Sequence, residues 1–119
     1  MTRAILPQIE NWHDQHKAFQ WDIPRDFNIA ERCCDSWAKS DPDRIALTHL
    51  DPELDPTQWT FGALKAASDK FAAHLRAIGV QRGDCIAILL PQSAETLIAH
   101  FAAYKLGAIA LPLFTLFRA

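Results

Sequence analysis

Five histidines, three cysteines and a serine at a strand-to-helix turn are the side chains here with the reactivity to do chemistry. The histidines are His13, His16, His49, His74 and His100. Acid–base work or metal ligation needs a carboxylate, a nucleophile or a second ligand held beside the imidazole. None of the five has such a partner at a diagnostic spacing, so each reads as a surface or partly buried histidine. Cys33 and Cys34 are adjacent and could be redox-active or bind a soft metal. Cysteines in the middle of a helix, one of them facing the core, are more often small packing residues. No Cys-x-x-Cys or His-x-x-x-His spacing occurs, so a zinc site is not expected. With Cys85 the count is odd, which argues against a disulfide framework and fits a reducing compartment.

Ser93 has the look of a nucleophile at a turn, but the elbow pattern Gly-x-Ser-x-Gly is missing, with Pro91 and Glu95 in the flanking positions. A helix N-cap is the better role for Ser93, and Glu95 is then a first-turn acid that suits the helix dipole. The same turn, Leu90-Pro-Gln-Ser-Ala-Glu95, contains no glycine. Backbone amides cannot wrap a phosphate there as they do in a P-loop or a dinucleotide fingerprint. No constellation supports a self-contained active site, and no catalytic, cofactor-binding or metal-binding residue is assigned.

The elements that hold these residues follow from periodicity and punctuation. Residues 1–27 mix Pro7, Pro24, charges and the aromatics Trp12, Phe19, Trp21 and Phe27; they read as an arm with one weak helical stretch over 8–19. Asn28 is placed to cap a helix over 29–39, with Ile29, Cys33 and Trp37 as its stripe. A strand is expected over 44–50, with Ile45, Leu47 and His49 on one face, and a short antiparallel return over 58–60. Thr60 caps a long helix whose apolar series is Phe61, Leu64, Ala67, Phe71, Leu75 and Ile78, ending at Gly79. The aromatic stripe Phe61, Phe71 and Phe101 reads as core. Lys65, Asp69, Lys70 and Arg76 fall on its other faces. Then come an apolar run, Cys85–Leu90, that suits a strand buried on both faces; a helix from Ser93 to Gly107; and a second apolar run, Ala108–Leu111, stopped by Pro112. Strand, helix, strand with short links is a βαβ unit.

The fold class is therefore α/β: an incomplete parallel or mixed sheet with covering helices. The 119 residues suffice for one domain at most, and a hydrophobic share of 50% is too high for a disordered chain. A formal charge of −2 without a Lys/Arg run argues against nucleic-acid partners. No apolar run reaches the roughly 18 residues of a transmembrane helix, and the start lacks a signal-peptide core, so a cytoplasmic location is the default. The heavily apolar stretch Ala108–Phe117 needs a covering partner, and a parallel sheet of so few strands lacks its usual two layers. A front part of a larger protein is expected.

Several stretches, in this order, carry a resemblance: Asp41-Pro-Asp-Arg-Ile-Ala-Leu47, Thr60-Phe-Gly-Ala-Leu64, Gly83-Asp-Cys-Ile-Ala-Ile-Leu-Leu-Pro91 and Gly107-Ala-Ile-Ala-Leu-Pro112. Together they resemble the N-terminal part of AMP-forming acyl-CoA synthetases, members of the adenylate-forming superfamily. Phe27-Asn-Ile-Ala-Glu-Arg32, with Trp37-Ala downstream, is similar to the acetyl- and medium-chain branch. The likeness covers about residues 24–117.

The resemblance implies a parent ligase that activates a carboxylic (fatty) acid through an acyl-adenylate to acyl-CoA. It implies ATP, Mg2+ and CoA as the parent's cofactors. The family's Ser/Thr/Gly-rich phosphate loop, its Tyr-x-x-Thr-Glu element and its C-terminal lysine segment have no counterpart in these residues. Residues 1–27 are then an N-terminal arm, and 28–119 a partial AMP-binding domain truncated at its C-terminal side. The fragment is expected to be inactive alone, to hold no cofactor itself, and to have the remainder of the parent synthetase as its partner. The competing expectation is a non-enzymatic interaction module that docks through its apolar C-terminal stretch. A small independent α/β domain with its own ligand is a third.

Overall fold

The computed structural model describes residues 9–21, 24–50 and 53–115. The expected order of elements is present. Helix α1 (Trp12–Ala18) is capped by Asn11, whose side chain accepts from the His13 amide, and it buries none of its residues. A helical run over 29–40 follows, made of a π-helical turn, Glu31–Asp35, that leads into α2 (Ser36–Ser40). Strands β1 (Ile45–Leu50) and β2 (Pro56–Thr60) form an antiparallel pair. Helix α3 (Phe61–Ala77), strand β3 (Cys85–Ile88), helix α4 (Ala94–Leu106) and strand β4 (Ile109–Pro112) complete the series. β3 and β4 pair in parallel, from Cys85 opposite Ile109 to Ile88 opposite Pro112. The two strand pairs are not hydrogen-bonded to each other.

Local chemistry explains the boundaries. The Asn28 carboxamide oxygen accepts from the amides of Ala30 and Glu31, and its nitrogen donates to the Tyr104 carbonyl at 2.7 Å. One residue thus caps one helix and ties it to the end of another. Thr60 Oγ1 accepts from the Ala63 amide at the start of α3. At the end of α4, Gly107 adopts φ 68°, the Ala108 amide reaches the Ala103 carbonyl and the Gly107 amide the Tyr104 carbonyl. This is a Schellman stop, which requires a left-handed residue that glycine provides without steric cost.

The core has two centres. Ala30, Cys34, Leu64 and Phe101 form one, with Ala46, Phe61, Leu97, Ile98 and Tyr104 packed around them. Ala72, Leu75 and Ala102 form the other, bordered by Val80, Ile86 and Leu106. α3 and α4 lie between the two centres and contribute to both. Their contact uses small residues, Ser68 and Ala72 on α3 and Ala99, Ala102 and Ala103 on α4, all buried. Small side chains let two helices approach closely while Leu64 and Phe101 fill the remaining space.

Five expectations are corrected. The helix over 29–40 buries Ala30 and Cys34, whereas Ile29, Cys33 and Trp37 are exposed. The π turn widens the helix by one residue and brings its small side chains, not its larger stripe, against α3 and α4. Ala46 forms a bulge between Ile45 and Leu47, so alternation along β1 breaks and Ile45 faces solvent. On α3 the buried line is Leu64, Ser68, Ala72 and Leu75, which leaves Phe71 and Ile78 exposed. β3 ends at Ile88 and, among the described residues, is covered on one face only, because both covering helices lie on the Ile86 and Ile88 side. Pro112 does not stop β4 but is its last paired residue; proline is tolerated there because β4 is an edge strand.

Candidate functional site

The β3–α4 turn lies at the carboxyl end of a parallel strand, where α/β proteins commonly bind ligands. Ser93 occupies the N-cap position of α4 with extended backbone, yet its side chain caps no backbone amide. Its hydroxyl instead bonds the Glu95 carboxylate, which, with a bond to the Glu95 amide, draws that carboxyl below its ordinary value. The Thr96 hydroxyl donates to the Pro91 carbonyl at 2.6 Å and closes the turn. Pro91 offers no N–H, and the Glu95 carboxylate lies over the positive end of α4.

The histidines remain dispersed. His13, His16 and His74 are exposed. A His100 ring nitrogen lies 2.8 Å from the Thr96 carbonyl, and the ring meets Tyr104 edge-on. His49, on β1, lies close enough to Glu95 to contribute to lowering its pKa. Among the described residues no three of His, Cys, Asp and Glu converge as a metal site. Cys34 is fully buried with its thiol 3.9 Å from the Phe61 carbonyl, and burial, aided by the Asp35 charge, pushes that thiol up. It is a packing residue, unlike a reactive thiolate. Cys33 and Cys85 are exposed and free.

A cluster that sequence reasoning did not assemble lies where three helices meet. The Lys105 ammonium, near the end of α4, is 2.9 Å from Asp35 Oδ1 and 2.5 Å from Asp69 Oδ1. Asp69 Oδ2 in turn meets the Lys65 ammonium at 2.5 Å. Only Lys65 and Asp69 stand at a helical i, i+4 spacing that a sequence shows. Asp35 and Lys105 join them through tertiary contact. Burial tends to raise the Asp69 carboxyl, but hydrogen bonds from Lys105 and Lys65 outweigh it and hold the group below its ordinary value. The hydrogen bond to Asp69 raises Lys65 against a smaller burial effect. Beside this cluster is an open cleft of about 250 Å3, lined by Asn28, Glu31, Asp35, Lys39 and Lys105. Two lysines answer the two aspartates Asp35 and Asp69, so the cluster pins the helices together. Its neighbour is a stacked surface unit: Trp37 lies on Phe61 with centroids 5.8 Å apart, and the Arg44 guanidinium sits 4.5 Å over the Trp37 ring.

The fold of this chain has counterparts among solved structures of acyl-CoA synthetases. The Brucella canis acyl-CoA synthetase matches with a TM-score of 0.80 and 28% identity, over 92% of this chain and 21% of that one. The fold is thus shared with part of that synthetase. The AMP-binding enzyme family model matches residues 34–119, and the chain belongs to that family. Acetyl-coenzyme A synthetase 2 of Zygosaccharomyces bailii is 35% identical over 119 residues, 99% of this chain and 17% of that protein. Acetyl-coenzyme A synthetase of Phycomyces blakesleeanus is 34% identical over 100 residues, 83% of this chain and 15% of that protein. The chain spans about a sixth of the length of these curated relatives.

Proposed function

We propose that this chain is a scaffold portion of an ATP-dependent acyl-CoA synthetase that activates a carboxylic acid through an acyl-adenylate. The whole protein would use ATP, Mg2+ and CoA and work in the cytoplasm. Residues 28–119 would contribute strands and helices to the large domain, with residues 1–27 as an arm against it. Its partner would be the remaining part of such a synthetase. The observation that carries this reading is the match of residues 34–119 to the family combined with what those residues contain. Among their titratable groups Lys105, Asp35, Asp69 and Lys65 neutralise one another, and the Glu95 carboxylate stands at the start of α4. Adenylation depends on electrostatic stabilisation at the α-phosphate, which these residues are not arranged to provide. No step of the reaction is assigned to them.

Purified 1–119, incubated with ATP, Mg2+, labelled pyrophosphate and a panel of carboxylic acids, is expected to show no exchange above background. Robust exchange would overturn the scaffold reading. The competing interaction module has no separate observation in its favour.

A further inference from the structure

We draw no further inference here: the strongest candidate, the open cleft where α4 meets the helical run over 29–40, lined by Asn28, Glu31, Asp35, Lys39 and Lys105, carries nothing because its two shielded charges, Asp35 and Lys105, answer each other and nothing in the structure shows what would occupy it.

Discussion

The Lys105 ammonium lies 2.9 Å from the Asp35 carboxylate, joining the last turn of α4 to the π-helical turn far upstream in the chain. The side chains of Lys105 and Asp35 are 12% and 19% exposed, so the pair is largely shielded from water. Asp35 Oδ1 is buried without a well-aligned hydrogen bond, which makes the ammonium its main compensation. Such a pair matters most when one partner is removed, because the other stays buried and unanswered.

Lys105→Met should therefore destabilise the chain by about 1–3 kcal/mol, the range for stranding a buried polar group. Pairing it with Asp35→Asn should recover part of that loss. Urea unfolding followed by circular dichroism reads both. An unchanged midpoint for Lys105→Met would show the pair to be ornamental.

Acid should act through Asp69. Its carboxyl is held below the ordinary value of 3.8, so between the two values the unfolded chain binds more protons than the folded one. The stability this group contributes is present above about pH 4 and is lost as pH falls through the lowered folded value. At the other end, Lys65 is raised above 10.5; its contribution is complete below that pH and fades as pH climbs through the raised value. Asp69→Asn should flatten both limbs of the stability–pH profile. Its side chain is 42% exposed, so the effect should shrink in high salt. A profile identical to the parent's would contradict the assignment.

Two N-cap positions should respond differently. Thr60→Ala removes a bond to the Ala63 amide and should cost about 1 kcal/mol. Ser93→Ala removes no capping bond and should cost clearly less. Equal losses in thermal unfolding would mean that Ser93 caps α4 in solution.

Gly62 should not tolerate a side chain. A Cβ there would stand 3.0 Å from the Pro42 carbonyl oxygen and 3.2 Å from Pro42 Cβ, where the turn before β1 approaches α3. Helical propensity alone favours Gly62→Ala by about 1 kcal/mol. Close backbone approach should reverse that sign, and a stabilised Gly62→Ala variant in the same unfolding assay would contradict the packing described.

Much of the fold was legible because its boundary signals are local. Asn28, Thr60 and Gly107 announce helix ends through their own side-chain or backbone chemistry, with no need of the rest of the chain. Which face of each element turns inward was less legible. Cys34 replaces Cys33 in the core because a π turn adds a residue that no 3.6-residue period anticipates. Phe71 is exposed because Ser68 and Ala72 allow α4 closer than a phenyl ring would. Ala46 escapes alternation through a bulge. The charged cluster was half visible, Lys65 and Asp69 at helical spacing, and half hidden, since Asp35 and Lys105 meet only after three helices have packed. The glycine-free turn at Pro91 was readable from composition alone; that Ser93 turns to Glu95 rather than to the backbone was not.

Under the proposed function these residues build the scaffold of a synthetase whose chemistry resides in other residues. Pyrophosphate exchange by purified 1–119 tests it most directly. The account predicts exchange indistinguishable from a no-protein control for every acid in the panel. Acid-dependent exchange that survives repurification, and that Lys105→Met abolishes while thiol labelling shows Cys34 still buried, would contradict it.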